Sequence, residues 1–472
     1  MKMKKTKIIA TIGPASIDKS VLKKMICTGV NVCRINFSHS NHQQARDIVN
    51  IVREINDELG TNVAILADLQ GPKIRLDLVE EGTRVEKGDR VTITTNQVLG
   101  NKEQLSISYK DFAKDVKKGD KILIDDGKLL FEVLKSNGEN EVKTKVIHGG
   151  AVKSKKGVNL PNTNLSTPSL TRKDLKDLYV AIQENIEWIG LSFVRHSDDI
   201  RSLQSIIRSR SSSSRIIAKI EKPEAVEDLE NIVKISGGVM IARGDLGVEV
   251  PMEQVPALQK RIIRMGMRYS TPVIVATQMM ESMIENAAPT RAEVTDVASA
   301  VYDGADAVML SGETSVGKHP LEVIKAMVKI INEVENSGEI KKHEFPPVEN
   351  NDRFISNSIC YQACKLADQV EAKAIVCMTH SGFNAFKISS HRPSSEIAVF
   401  THNKTILNTL SLLWGTHGYY YNENKDTDAT VNDVHKRMKK KGLVKKNDFV
   451  INVASMPVKE KGKTNMIKLT QI

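Results

Sequence analysis

Lys219 and Glu221 alternate along the run RIIAKIEK that begins at Arg215, and the two-residue repeat of an extended chain points both side chains to one face. Asp245 follows in IARGDLGVEVP, so two carboxylates and one ammonium stand at the ends of successive apolar runs. Two hard oxygen ligands suit Mg²⁺, with Mn²⁺ as an alternative, the remaining positions being filled by substrate and water. A lysine beside such an ion suits stabilisation of a transferring phosphoryl group, whose charge spreads over its equatorial oxygens. The rival chemistry is a Schiff base, because a strand-end amine can also attack a carbonyl; metal-type carboxylates next to it weigh against that. Taken singly, Glu221 and Asp245 read as salt-bridge partners of Lys222 or Arg243, and it is convergence with Lys219 that favours a site. Gly244 lets backbone approach a ligand, and the helix opened there offers its N-terminus to an anion. Arg34 has the fork geometry for phosphate, with a structural ion pair as the plain alternative.

Such residues need a frame that brings strand ends together. Eight β-branched runs begin at Lys7, Val32, Val63, Trp188, Arg215, Gly238, Pro272 and Ala307, and helical periodicity follows, as in HQQARDIVNIVREINDEL from His42. The pattern predicts an α/β chain built on a (β/α)₈ TIM barrel, with its site at the C-terminal ends of the strands. Arg34, Asn36, Ser38, Asp68, Lys219, Glu221, Asp245, Thr277, Ser311 and Glu313 all fall at such ends. Between Asp68 and Thr171 the helical rhythm gives way to Gly-punctuated β runs, which predicts an inserted β-barrel lid domain over 71–168, with Pro72 and Pro168 near its hinges. The barrel then occupies 1–70 and 169–340, and after a charged linker a C-terminal open α/β sheet domain spans 350–472.

Composition narrows the partners. The chain has 472 residues, of which 40% are hydrophobic and 26% charged, so it folds around a sizeable core. Lys and Arg number 68 against 57 for Asp and Glu, and the net charge of +11 favours anionic partners. Only 4% of residues are aromatic, which leaves few stacking platforms for nucleic acid. Cys27, Cys33, Cys360, Cys364 and Cys377 show no paired spacing and read as reduced packing residues. No run reaches the roughly 18 apolar residues of a membrane span. A cytoplasmic enzyme with neither membrane nor nucleic acid as partner is the expectation.

Longer motifs carry a resemblance. TIGPAS from Thr11, NFSHS from Asn36, DLQGPKIR from Asp68, SKKGVNLP from Ser154, AKIEKPEAVEDL from Ala218, MIARGDLGVEVP from Met240 and ATQMMESM from Ala276 resemble the motifs of the pyruvate kinase family. So do the long run PTRAEVTDVASAVYDGADAVMLSGETSVGKHP from Pro289 and THSGFNA from Thr379. The resemblance implies phosphoryl transfer from phosphoenolpyruvate to ADP, giving pyruvate and ATP. By motif it assigns Glu221 and Asp245 to the divalent metal, Lys219 to the migrating phosphoryl group and Arg34 to phosphate. Thr277 falls where the enolate is protonated, with Ser311 and Glu313 behind it, while the N–H groups of Gly244 and Asp245 hold the substrate carboxylate. His39 and Lys156 match nucleotide contacts.

Asn36, Ser38, Asp68 and Leu69 match the family's K⁺ site, but Leu69, Gln70 and Lys73 stand in DLQGPK where potassium-dependent members read DTKGPE. The Lys73 ammonium would replace the cation, so K⁺ is expected not to be required; the alternative is a Lys73 turned to solvent. Thr379, Ser381, Gly382 and Asn384 match an effector phosphate loop, with Asn384 in place of the usual hydroxyl, which implies a sugar-phosphate or nucleotide effector. The basic run KRMKKKGLVKK from Lys436 reads as a solvated helix end or as partner to effector phosphates. A homotetramer is likewise implied. The rivals are a metal-dependent barrel aldolase or lyase acting through a pyruvate enolate, and a basic nucleic-acid-binding protein.

Overall fold

The computed structural model describes residues 4–161, 163, 166, 168–348, 353–423, 426–456 and 463–472; the expected start of the C-terminal domain at 350 lies outside them. Eight parallel strands close a barrel: Lys7–Thr11, Val32–Asn36, Ala64–Asp68, Trp188–Leu191, Arg215–Ile220, Gly238–Ala242, Val273–Ala276 and Ala307–Leu310. They are numbered one to eight below. Sequential neighbours pair, and strand one closes on strand eight through Ala10 opposite Leu310.

Alternation along each strand divides two cores. In strand five, Ile216, Ala218 and Ile220 face the surrounding helices, whereas Ile217 joins Ile9, Leu66, Trp188 and Met240 inside the barrel. Lys219 shares the inward face with Ile217, one step nearer the mouth, which is the two-residue repeat read from the sequence. The helices are set by local signals. His42–Leu59 carries an Asn41/Gln44 capping box and ends at Gly60 in the left-handed region, and Pro320 opens Pro320–Ser337.

The insertion after strand three is a β unit with its own core of Ile93, Phe112, Phe131 and Val142. Its main sheet is mixed and six-stranded, in the order Val158–Asn159, Lys121–Ile124, Leu129–Ser136, Glu141–His148, Arg90–Thr94 and Gln104–Ser106. The C-terminal sheet has four parallel strands, Thr416–Tyr420, Glu396–Thr401, Ala374–Met378 and Phe449–Ala454, with Met466–Gln471 antiparallel at one edge. This unit sits against the N-terminal face of the barrel. Lys7 Nζ donates to Thr416 O at 2.7 Å, Lys5 Nζ to Ser394 O at 2.7 Å, and Arg392 pairs with Asp306 at 2.7 Å. Among the described residues no helix is long and apolar enough to cross a membrane.

Candidate active site

Lys219 is the hub of the barrel mouth. Its Nζ lies 2.9 Å from Glu221 Oε1 and 3.4 Å from Asp68 Oδ1, and donates to Ser192 Oγ at 2.7 Å. Burial works against a charge on this amine, but the carboxylates of Asp68, Glu221 and Asp245 outweigh it and raise its pKa above the ordinary lysine value. An imine-forming lysine needs the opposite shift, so the environment suits an electrostatic role. Burial likewise opposes the charge of Asp68, yet Lys219 and Arg34 hold its carboxyl below the usual range. Arg34 grips Asp68 Oδ2 through Nε at 2.8 Å and Nη2 at 2.7 Å, while Nη1 donates to Thr11 Oγ1 at 2.9 Å.

Glu221 follows strand five and is 1% exposed, with Oε2 accepting the Phe193 N–H at 2.7 Å. Burial first, and then the charge of Asp245, push its pKa up against the pull of Lys219. Asp245 sits in the first turn of the short helix Arg243–Glu249, half-buried, with Lys73 Nζ 3.8 Å from its Oδ1. Lys73 thus reaches toward Asp245 with about a third of its side chain still exposed to solvent, 34%. Among the described residues no cluster of three or more His, Cys, Asp and Glu is arranged to hold a metal. The protein offers two facing carboxylates whose repulsion is only partly relieved by Lys219, which fits a hard divalent ion that keeps water and substrate oxygens in its shell.

Strand seven ends in strain. Thr277 has φ 68° and Gln278 φ 55°, a left-handed conformation that a β-branched residue rarely adopts. The strain is held from two sides: Gly244 N–H donates to Thr277 Oγ1 at 2.8 Å, and Arg243 Nη2 donates to Thr277 O at 2.8 Å. Arg243 is itself clamped by Asp296 at 2.6 and 2.7 Å. Glu313 is buried beneath this turn, where it accepts N–H groups of Ser311 at 2.7 Å and Met280 at 3.2 Å. Burial raises its pKa and these N–H groups oppose the rise. Glu313 thus holds the loops of strands seven and eight, facing backbone, and Ser311 is fixed through its N–H.

Other expected residues are more scattered. Asn36 and Asp68 pair across strands two and three, and Asn36 Oδ1 accepts the Ser38 N–H at 3.0 Å. Leu69 is buried, and its carbonyl accepts from Ser192 Oγ at 2.7 Å. His39 is exposed on the turn after strand two, and Lys156 pairs with Asp125 at 2.8 Å inside the insertion, so neither touches the Lys219 cluster. In the C-terminal unit Thr379 Oγ1 accepts the Gly382 N–H at 3.0 Å and Ser381 is exposed. Asn384 is turned inward: its Nδ2 donates to Met378 O at 3.2 Å and it is 1% exposed. Arg437, from the basic run, pairs with Glu423 at 2.8 Å.

Three contributors have no signal in the sequence: Ser192, Phe193 and Asp296. Phe193 shares the left-handed region at φ 55°, which aims its N–H at Glu221. One further group ties the insertion to the barrel, since Glu249 Oε1 takes both Asn159 Nδ2 at 2.8 Å and Lys222 Nζ at 2.7 Å.

Comparison with known proteins places the chain in a family. A family model described as "Pyruvate kinase, barrel domain" matches residues 3–324, and one described as "Pyruvate kinase, alpha/beta domain" matches 357–470. A pyruvate kinase of Corynebacterium efficiens is 42% identical over 98% of this chain and 97% of its own length. One from Staphylococcus aureus is 39% identical over 99% of this chain and 80% of its own length. The crystal structure of a pyruvate kinase from Cryptosporidium parvum superposes with a TM-score of 0.91 at 33% identity, covering 99% of this chain and 96% of that one. The chain belongs to the pyruvate kinase family and is a phosphotransferase.

Proposed function

We propose that the chain transfers the phosphoryl group of phosphoenolpyruvate to ADP at the barrel mouth, giving pyruvate and ATP. The observation that carries the reading is the Lys219 ammonium, buried among Asp68, Glu221 and Asp245 and kept charged by them. Glu221 and Asp245 would hold Mg²⁺, which supplies positive charge to the substrate's carboxylate and phosphoryl oxygens when bound. Lys219 and Arg34 stabilise the equatorial oxygens as a β-phosphate oxygen of ADP bonds to phosphorus and the bond to the enol oxygen breaks, its electron pair staying on that oxygen. The Gly244 N–H and the Thr277 hydroxyl, 2.8 Å apart, orient the carboxylate end, and C3 of the enolate then takes a proton from the Thr277 side. His39 and Lys156 contact the nucleotide, Lys156 arriving with the insertion as it closes.

Lys73 supplies the charge that K⁺ gives elsewhere in the family, in keeping with its approach to Asp245. Thr379, Ser381 and Gly382 hold an effector phosphate, and the working form is a homotetramer in the cytoplasm. The deciding assay is formation of ATP and pyruvate from phosphoenolpyruvate and ADP with Mg²⁺ present and K⁺ excluded, with Lys219→Met as control. Turnover that is lost in Lys219→Met, and that becomes K⁺-dependent in Lys73→Gln, is the expected result. Turnover only after K⁺ is added would keep the reaction and remove the role given to Lys73. None under either condition would remove the reaction.

A further inference from the structure

The chain crosses between barrel and insertion twice, and both crossings close on the short helix Arg243–Glu249. Asp245 and Glu249 are four residues apart, so they lie one turn apart on the same face of that helix. On the incoming chain, Lys73 Nζ comes within 3.8 Å of Asp245 Oδ1. From Val158–Asn159, the edge strand of the insertion's main sheet, Asn159 Nδ2 donates to Glu249 Oε1 at 2.8 Å. The two crossings are themselves joined, since the Leu76 N–H donates to Lys156 O at 2.9 Å and the Val158 N–H to Ile74 O at 3.0 Å. The insertion thus touches both ends of the helix whose first turn carries Asp245.

Glu249 also reaches strand five. The oxygen that takes Asn159 takes Lys222 Nζ as well, at 2.7 Å, and Lys222 directly follows Glu221. Glu249 is buried, and among the described residues its Oε2 has no hydrogen-bond partner. The carboxylate can therefore give each donor an oxygen of its own as the insertion moves, without releasing either. There is little slack around it: the crevice lined by Pro72, Lys73, Asn159, Phe193, Lys222 and Glu249 has a volume of about 20 Å³, room for about one water. A buried ion pair is complete with Lys222 alone, so the amide reaching in from the insertion adds a link that neutrality does not require.

We infer that Glu249 is a positioning residue that makes the insertion and the two carboxylates Glu221 and Asp245 move together, so that ligands at the phosphoenolpyruvate end and at the nucleotide end strengthen each other's binding. The distances involved are short. At about 1.5 Å per residue the helix measures about 9 Å from end to end. A ligand held at Gly244 and Asp245 fixes this helix and with it the acceptor that Asn159 needs. An insertion drawn in by nucleotide fixes the same helix from its other end. Whichever ligand binds first meets the cost of ordering the helix, the second does not, and linkage makes the effect equal in both directions.

The coupling rests on the phosphoenolpyruvate reading above. The probes are ATP and oxalate, a planar dianion shaped like the carboxylate end of the enolate, each with Mg²⁺, and they bind without turnover. Titration calorimetry on the full chain should show ATP binding tightened about fivefold or more by oxalate, and oxalate binding tightened by ATP to the same factor. In Asn159→Ala, which leaves Lys222 and Glu249 paired, that factor should fall below about twofold while each probe alone keeps its affinity within about threefold. Asn159→Gln retains the amide donor and should restore part of the coupling. Kinetics should split in the same way: in Asn159→Ala the KM for ADP stops responding to phosphoenolpyruvate, and kcat at saturation of both substrates changes little. Hydrogen exchange reads the link without nucleotide, since Mg²⁺ and oxalate should slow exchange over residues 156–160 in the unaltered chain and leave it unchanged in Asn159→Ala. Should Asn159→Ala fail to fold, the isosteric Asn159→Asp removes the donor without opening a cavity and should lose the coupling likewise. Full coupling in these variants, or none in the unaltered chain with both probes bound, would overturn the role of Glu249 and leave the reaction standing. Failure of both probes to bind the unaltered chain would remove the phosphoenolpyruvate reading and the coupling with it.

Discussion

Replacing Lys219 by Met should lower kcat by about 10²–10³, the loss typical of one preorganised group facing developing charge, with substrate binding affected less. Steady-state kinetics at saturating Mg²⁺ would show it, and a kcat within threefold of the original would remove Lys219 from the transition state. Arg243→Lys tests a less visible role. It keeps the charge but drops the fork on Asp296 and the bond to Thr277 O, so the strained turn loses one of its two restraints. A fall in kcat of about tenfold, about 1.4 kcal/mol in the barrier, with little change in KM is the expected outcome. Lys219, Glu221 and Asp245 were legible in the sequence because strand alternation alone aims the first two and a helix start places the third. Arg243 read as a polar residue ending strand six and as a salt-bridge partner, but its hold on Thr277 was not legible, since Thr277 and Asp296 reach it through the barrel's closure and no spacing along the chain announces that.

At the scale of elements, the connection between insertion and barrel passes through Glu249. Glu249→Ala removes the acceptor of Asn159 and leaves Lys222 buried without its partner, which should cost about 3–5 kcal/mol locally. Limited proteolysis should then cut near Pro72 and Pro168 faster than in the unaltered chain; equal rates would mean that the insertion is held elsewhere. The barrel strands could be read almost residue by residue because each is an apolar run with its own helix. The run KILIDDGKLLFEVL hid a hairpin, Lys121–Ile124 against Leu129–Ser136, whose turn is marked by Asp125, Asp126 and Gly127 with φ of 55°, 57° and 84°. Asn384 shows the limit of motif reading. The helix begins at Phe383 behind a left-handed Gly382, which turns the Asn384 amide toward Met378 O and away from the loop's open side.

For the whole molecule the seam between barrel and C-terminal unit decides stability. Arg392 is buried on Asp306 and on the Gly304 carbonyl, so Arg392→Met should lower the first unfolding transition by about 3–5 kcal/mol if the pair is broken without repacking. Near it, the pKa of His391 is pushed down to about 4 by burial and then by Lys387, Arg392 and Lys365, against an ordinary value of 6.5. Between those values the unfolded chain takes up a proton that the folded chain refuses. Stability is therefore full above about pH 6.5 and is lost as pH falls towards 4, by up to about 1.4 kcal/mol per unit. Denaturation curves from pH 7 to 4.5 should show this slope, and His391→Phe should flatten it. The seam is also continuous in apolar terms, because Ile9, Trp188 and Ile274 inside the barrel belong to one cluster with Ile375, Leu412 and Ile451. On the ribosome the second half of that cluster is made last. At about 5–20 residues per second the final stretch needs on the order of ten seconds, and for that interval a finished barrel would present an open, oily floor. A nascent chain of this design should depend on a chaperone at its base, and a stop codon shortly after Ser337 should yield aggregate instead of a minimal enzyme.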